Sequence, residues 1–208
     1  MREHVSDPFV KRARREGYRS RAAFKLLEII ERDRLVRPGM LVVDLGAAPG
    51  GWCQVVAPML GPNGRLVALD VLPMEAIPGV TFIQGDFREE DALQALRAAL
   101  GGQGVDLVLS DMAPNISGVV PTDHARSAHL TELAVDFALS HLKPGGALLV
   151  KAFHGPGIEE LRKRMTKAFE SLAVRKPRAS RDRSSEFYLL ARGLRGARGD
   201  IGAALESV

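Results

Sequence analysis

Residues 40–52 read MLVVDLGAAPGGW, in which an apolar run holds an acid near its end and continues into a glycine-rich segment. The apolar run is typical of a buried strand, and the glycine-rich segment is typical of a tight turn before a helix. Glycines in such a turn let a ligand approach the backbone closely, and the helix that follows presents free N–H groups. The stretch therefore predicts a strand, a turn and a helix, with a ligand site at the turn.

Strands and helices alternate along the rest of the chain. Hydrophobic periodicity predicts strands at residues 40–45, 65–70, 80–83, 105–111, 147–152, 172–176 and 186–191. It predicts helices at residues 20–33, 51–60, 89–100, 122–142 and 157–170, the first of them capped by Ser20. We therefore expect an α/β fold with a mostly parallel seven-stranded sheet and helices on both faces. The last two strands have no room for a helix between them, so we expect them to pair antiparallel.

The chain divides into a basic N-terminal arm at residues 1–19, a single domain at residues 20–191 and a glycine-rich tail at residues 192–208. We expect the tail to be flexible, because its sequence is weakly patterned. We expect neither a membrane span nor a secretory signal, which points to the cytoplasm. The single cysteine, Cys53, excludes an internal disulfide and a cysteine-based zinc site. The histidines show no metal-ligand pattern, so we expect no metal, and nothing in the sequence indicates an obligate protein partner.

The net charge of +4 is unevenly distributed along the chain. Residues 1–21 hold seven Lys or Arg against three acids, and residues 162–183 hold nine against two. Two basic clusters on a balanced body are typical of a protein with a polyanionic partner such as nucleic acid. The alternative is a solvated surface that only keeps the protein soluble.

Ligands of open parallel sheets bind beyond the carboxyl ends of the strands, where this sequence places acids. Asp70 ends the second predicted strand, 24 residues after Gly46, a separation that suits an acid holding the two ribose hydroxyls of a nucleoside. Asp86 follows the third strand and can accept a hydrogen bond from an adenine amino group while the ring of Phe87 packs on the base. With Asp44 at the first strand, these acids favour an S-adenosylmethionine site.

A dinucleotide-binding fingerprint is the rival interpretation of the glycine-rich turn. That fingerprint requires G-x-G-x-x-G, whereas the spacing here is G-x-x-x-G-G with Pro49 inside the turn. Asp44 also suits a cationic amino-acid group better than a diphosphate. The structural alternative is a tight turn without a ligand, whose acids only cap helices.

Six segments together resemble one family of enzymes. They are SRAAFKLLEI (20–29), VVDLGAAPGGW (42–52), GDF (85–87), SDMAPNISG (110–118), KAFHG (151–155) and SSEFYLLA (184–191). In order and spacing they resemble the FtsJ/RrmJ (RlmE) group of 2′-O-ribose methyltransferases, over nearly the whole chain to about residue 191. The resemblance implies a Rossmann-like class I S-adenosylmethionine-dependent methyltransferase fold with an antiparallel last strand.

The resemblance also implies which residues act. It implies a catalytic set of Lys25, Asp111, Lys151 and Glu186. It implies cofactor contacts at Gly50, Trp52, Asp70, Asp86 and Asp111, to which we add Gly46 in the same turn. The substrate that it implies is a uridine ribose in 23S rRNA of the large ribosomal subunit.

The chemistry of such a transfer fits these residue types. A ribose hydroxyl is a poor nucleophile until its proton leaves, whereas a sulfonium leaves as a neutral thioether and needs no acid. Our hypothesis is that Lys151 accepts the proton while Asp111 orients it, and that Lys25 and Glu186 hold the lysine and the ribose hydroxyl. A lysine base must be lowered from its usual pKa of ~10.4 towards ~7–8.

Each residue also has an ordinary structural interpretation. Lys25 could pair with Glu28 on an exposed helix face, and Lys151 could extend to solvent. Asp111 could cap the loop after its strand, and Glu186 could be a surface strand residue. The joint match makes catalysis the better interpretation.

Other functions stay open at this point. A base-amino methyltransferase is disfavoured, because the segment after the fourth strand reads DMAPN, not Asn/Asp-Pro-Pro-aromatic. Cys53 could serve as the nucleophile of a cytosine methyltransferase, although a small core residue is the better interpretation. The alternatives are methylation of tRNA or another structured RNA, a non-catalytic RNA-binding or ribosome assembly protein, and a nicotinamide-dependent oxidoreductase.

Overall fold

The sheet of the computed structural model has seven strands, six of which run in the same direction. The structure describes residues 7–114, 118, 120–180 and 184–196. The strands are β1 (Leu41–Leu45), β2 (Arg65–Asp70), β3 (Val80–Gln84), β4 (Val105–Ser110), β5 (Leu142–Phe153), β6 (Phe169–Arg175) and β7 (Glu186–Leu194). Their order is β3-β2-β1-β4-β5-β7-β6, and β7 is antiparallel to both of its neighbours. The predicted sheet and its antiparallel last pair are confirmed.

Helices cover both faces of the sheet. They are α1 (Pro8–Arg15), α2 (Ala22–Asp33), α3 (Gly51–Leu60), α4 (Glu90–Leu100), α5 (Val120–His141) and α6 (Ile158–Ala168). Alternate strand residues point to opposite faces, so the core forms two clusters. One cluster joins the sheet to α2 and α3, and the other joins it to α4, α5 and α6. Within the described residues, no helix is both long and apolar enough to cross a membrane.

The structure differs from the predicted elements mainly near the two ends of the chain. The sequence predicts no helix before residue 20, yet α1 forms there, with Asp7 accepting a hydrogen bond from Phe9 N at 3.0 Å and proline in the first turn. Ser20 is not the cap of α2, because Arg21 holds that position with a helical backbone. The Ser20 hydroxyl packs instead beside the backbone of Gly51.

At the other end, β7 continues to Leu194, three residues beyond its predicted end, because it pairs with Phe169 of β6 there. β5 begins at Leu142, ahead of its predicted start, and its pairing with β4 is interrupted by an irregularity. Residues 1–6 of the predicted arm and residues 197–208 of the predicted tail lie outside the described residues, as do residues 115–117 of the segment after β4.

Candidate active site

The predicted catalytic residues lie on the face of the sheet that carries α2 and α3. Tyr188 of β7 pairs with Lys151 of β5, and Glu186 pairs with Phe153 at the end of the same strand. Alternation along β7 keeps Glu186 on the face of Tyr188, whose ring lies in the core cluster under α2 and α3. Helix α2 brings Lys25 over this edge. The fold thus gathers residues that are far apart in the sequence.

Two lysine–carboxylate pairs form at this edge. The Lys25 Nζ lies 2.6 Å from Glu186 Oε1, and the Lys151 Nζ lies 3.0 Å from Asp111 Oδ1. Lys151 also donates to the Asp111 carbonyl at 2.5 Å, and the Tyr188 hydroxyl donates to Asp111 Oδ1 at 2.7 Å. Both lysines are only 6% exposed. Buried charges of this kind need partners, and here each lysine has a carboxylate.

Tyr188 links the two pairs, although the sequence analysis gave it no role. The Lys25 Nζ lies 5.7 Å from the centroid of its ring, while its hydroxyl holds Asp111. The signal that could have found it is its position two residues after Glu186, since residues i and i+2 of a strand share a face.

The protonation states at this edge follow from burial and neighbouring charges. Burial acts to raise the pKa of Asp111, but the ammonium groups of Lys151 and Lys25 and the Tyr188 hydroxyl outweigh it and lower that pKa. Burial also acts to raise the pKa of Glu186, but the neighbouring Lys25 ammonium outweighs it and lowers that pKa. Burial and the Asp111 charge raise the pKa of Tyr188. Both acids are therefore carboxylates at neutral pH, and the tyrosine is a hydroxyl donor.

The structure overturns the ordinary interpretations of both lysines. Glu28 is not the partner of Lys25, because its carboxylate accepts a hydrogen bond from Arg178 N at 2.9 Å. Lys151 does not extend to solvent, because its amino group is held at Asp111 inside the protein.

The glycine-rich turn after β1 has little room for side chains. Gly46 has a φ of +80°, and a Cβ there would lie 2.7 Å from Met112 Cγ. Gly50 has a φ of +105°, and a Cβ there would lie 2.7 Å from Ile77 Cδ1. Positive φ and close approach both require glycine at these two positions. The turn is therefore tightly packed against its neighbours at the edge that carries the lysine pairs, and Gly50 is buried.

Asp70 is built into the same turn. Its carboxylate accepts hydrogen bonds from Ala48 N at 2.9 Å and from Leu72 N at 2.8 Å. A carboxylate has about four acceptor positions, so two remain for a pair of hydroxyls. Leu72 and Val71, which follow directly, are 61% and 54% exposed, so an apolar surface lies beside this acid.

Two residues that were predicted to contact the ligand, Phe87 and Trp52, have buried rings. The Phe87 ring cannot stack on a base, because it is 6% exposed and packs against Phe137 at 5.6 Å between ring centroids. Asp86 does lie at the end of β3, where Arg88 hydrogen-bonds it and lowers its pKa. Trp52 is 3% exposed and its indole donates to Ala22 O at 2.9 Å, so the ring is part of the core.

Asp44 is a buried acid, and no cation in the part of the chain that the structure describes compensates its charge. Its Oδ2 accepts a hydrogen bond from Cys53 Sγ at 3.2 Å, and its Oδ1 has no hydrogen-bond partner among the described residues. Burial raises the pKa of Asp44 to about 7, despite the hydrogen bond from Cys53. Burial and the Asp44 charge raise the pKa of Cys53 as well, which confirms that this thiol is a core residue and not a nucleophile.

The raised pKa of Asp44 has a measurable effect on stability. The folded-state pKa of about 7 lies above the unfolded value of ~3.9, so the folded state keeps a proton that the unfolded state releases. The stability from this group is full below pH ~4 and is lost as the pH rises to about 7. We expect Asp44→Asn to remove that loss, which is at most about 1.4 kcal/mol per pH unit.

Urea unfolding of both proteins between pH 4 and 8 measures this effect. The free energy of unfolding of the variant should rise relative to wild type up to about pH 7 and then stay level. A difference between the two proteins that does not change with pH contradicts the assignment. The asparagine amide changes the free energy of unfolding by the same amount at every pH, so only the change with pH reports on the titration of Asp44.

The described residues contain no group of three or more His, Cys, Asp or Glu side chains arranged to hold a metal ion.

The site is built from a glycine-rich turn, acids at the ends of β2 and β3, and the two lysine–carboxylate pairs. Together with the strand order, these features define a Rossmann-like methyltransferase.

Comparisons with known proteins show to which methyltransferase family the chain belongs. The chain belongs to the FtsJ-like methyltransferase family, which matches residues 18–194. It is 61% identical to "Ribosomal RNA large subunit methyltransferase E" of Azoarcus sp., over 94% of this chain and 95% of that protein. It is 63% identical to the protein of the same name from Alkalilimnicola ehrlichii, over 92% of this chain and 91% of that one. A Plasmodium falciparum crystal structure assigned as a ribosomal RNA methyltransferase superposes with a TM-score of 0.78 at 28% identity, covering 86% of this chain and 100% of that one.

Proposed function

We propose that this methyltransferase moves a methyl group from S-adenosylmethionine to the 2′-hydroxyl of a uridine in 23S rRNA of the large ribosomal subunit. The observation that carries the proposal is the meeting of the Lys25–Glu186 and Lys151–Asp111 pairs beside the glycine-rich turn. Relatives more than 60% identical carry the name of a ribosomal RNA large subunit methyltransferase, which supports the substrate. The cytoplasmic location expected from the sequence is part of the same proposal.

The residues at the turn fit S-adenosylmethionine. The glycines shape a tight turn at the edge of the sheet where the acids lie, and Asp70 keeps two acceptor positions for ribose hydroxyls. Val71 and Leu72 offer an apolar surface to the adenine, in place of Phe87, and Asp86 would accept from its amino group. Asp111 brings negative charge towards the cationic amino acid end.

The proposed roles in the transfer follow from the contacts. When bound, the cofactor supplies an electrophilic methyl on a positively charged sulfur. Lys151 in its neutral amine form is the proton acceptor for the ribose hydroxyl and becomes the ammonium that Asp111 holds, while Asp111, fixed in turn by Tyr188, orients the amino group. Lys25, held by Glu186, positions the hydroxyl from the side of α2. Both lysines are buried, so water is excluded from their amino groups and the reacting groups stay aligned during the transfer.

Transfer of a tritiated methyl group tests the proposal. The acceptors are large subunits from cells that lack this enzyme, naked rRNA from those subunits, and tRNA. We expect label on rRNA, and nuclease digestion should release it as 2′-O-methyluridine. Label on a base, label on tRNA alone, or rRNA binding without transfer would each contradict the proposal and favour one of the alternative functions.

The cofactor contact proposed for Asp70 has a matched control. Asp70→Asn keeps the shape of the side chain but removes its charge, so we expect the Kd for S-adenosylmethionine to rise by about 10- to 100-fold, the value of one hydrogen bond to a charged group. Asp106→Asn is the control, because Asp106 also accepts from a backbone N–H, that of Leu41 at 2.9 Å, at the opposite end of the sheet. Calorimetric titration measures both, and equal affinities for the two variants would argue against the contact.

A further inference from the structure

The basic residues of the chain are divided between the two faces of the sheet. Helix α6 buries Leu161 and Met165 in the core cluster that also holds α4 and α5. Helix α1 instead packs over α2, on the face with the two lysine–carboxylate pairs. The basic cluster at residues 162–183 is therefore not one surface, because α6 carries part of it on the far face.

Three of the four cations of α6 have acidic partners. Arg162 lies 3.0 Å from Glu159, Lys163 lies 3.7 Å from Glu160, and Arg164 lies 2.5 Å from Asp136. These pairs lower the local positive field on this face and lessen its attraction for a polyanion.

Helix α1 separates its apolar and basic residues. Ala13 is 3% exposed and packs with Phe9 and Phe24 in a small cluster that also holds Ala179. Arg12 lies over the Phe24 ring, 4.3 Å from its centroid. The exposed residues Lys11, Arg14 and Arg15 lie three and four positions apart, so they share the opposite side of the helix, which faces solvent. Arg15 lies 3.4 Å from Glu16, but it shares this acid with Arg12, whereas each paired cation of α6 has an acid of its own.

Helix α1 packs directly on the elements that carry Lys25 and Glu186. Its partner Phe24 precedes Lys25 on α2, and its partner Ala179 lies on the connection that leads to Glu186. Asp7, the cap of α1, also lies 2.5 Å from Arg21. Arg178, beside Ala179, has an exposed side chain. The outer cations are thus held at a fixed position relative to Lys25.

We propose that Lys11, Arg14, Arg15 and Arg178 form a phosphate-binding surface that holds the RNA backbone beside the active site. The α6 cations take no part in it. The inference rests on the proposed function, since it assumes an RNA substrate. Contacts to phosphates carry no base information, so this surface contributes affinity and orientation and not the choice of nucleotide.

Two triple variants that remove the same charge test this surface. One is Lys11→Gln, Arg14→Gln and Arg15→Gln, and the other is Lys163→Gln, Arg164→Gln and Lys167→Gln; all six side chains are exposed. We expect the α1 variant to raise the KM for the RNA by about 10- to 100-fold and to lower the slope of log affinity against log salt by about 0.7–0.9 for each lost contact. The α6 variant should keep the wild-type KM and slope.

Further measurements separate the possible outcomes. Both variants should keep the wild-type Kd for S-adenosylmethionine and the wild-type kcat at saturating RNA, and Arg178→Gln alone should raise the KM by a smaller factor. If wild type methylates RNA but the two triple variants have the same KM, the surface is wrong while the proposed function stands. If wild type transfers no methyl to any RNA, the proposed function fails first. Should the α1 variant unfold, a wild-type KM in Arg178→Gln overturns the inference by itself.

Discussion

Replacing Lys151 by alanine should lower kcat for methyl transfer by about 10³-fold, or about 4 kcal/mol of transition-state stabilisation. Lys151 is the only one of the two buried lysines that contacts Asp111, at 3.0 Å to the carboxylate and 2.5 Å to the carbonyl. Without its amino group the ribose hydroxyl has no proton acceptor in the proposed mechanism. Cofactor affinity should change by only a few-fold, because the glycine-rich turn and Asp70 are untouched.

A second variant separates base catalysis from simple charge pairing. Arginine keeps a cation beside Asp111 but does not lose its proton in proteins, so Lys151→Arg should be nearly as inactive as the alanine variant. Lys143→Ala is the matched control, since Lys143 lies on the same strand and pairs with Asp106 at the other end of the sheet. Single-turnover rates with bound cofactor measure the effect. Substantial activity in Lys151→Arg would show that Lys151 only neutralises Asp111.

The sheet could be predicted because its signal is local. Strands such as β1 and β2 are apolar runs with an acid at or next to the last position, and the glycine-rich turn marks where the ligand edge lies. Helix α1 escaped prediction because it contributes only two apolar residues, Phe9 and Ala13, to its contact with α2, and their partners Phe24 and Ala179 are distant in the sequence. The helix is amphipathic, but its eight residues are shorter than the window over which helical periodicity can be recognised.

The site could be predicted only in part, because position along a strand does not reveal what a side chain contacts. Asp44, Asp70 and Asp111 all lie at carboxyl ends of neighbouring strands, yet their surroundings differ. Asp70 accepts from backbone N–H groups, Asp111 is paired with Lys151, and Asp44 has no counter-ion among the described residues. The inward orientation of Phe87 likewise depends on Phe137, fifty residues further along the chain.

Removing one partner of the Lys25–Glu186 pair should affect both stability and catalysis. The two side chains are 7% and 12% exposed, so Lys25→Met leaves the Glu186 carboxylate buried without its lysine. We expect that variant to lose about 3–5 kcal/mol of unfolding free energy, because an uncompensated buried charge costs more than the pair contributes. Changing Glu186→Gln in the same chain removes that charge and should restore part of the loss.

The activities of the same three variants show whether the two residues act as one unit. If Lys25 positions the ribose hydroxyl only while Glu186 holds it, each single variant should lose about 10²-fold in kcat and the double variant should lose no more than either one. Independent roles would instead multiply the two losses. Urea unfolding and single-turnover rates of wild type, both single variants and the double variant complete the cycle. Additive losses in both measurements would mean that the 2.6 Å contact couples the residues in neither folding nor catalysis.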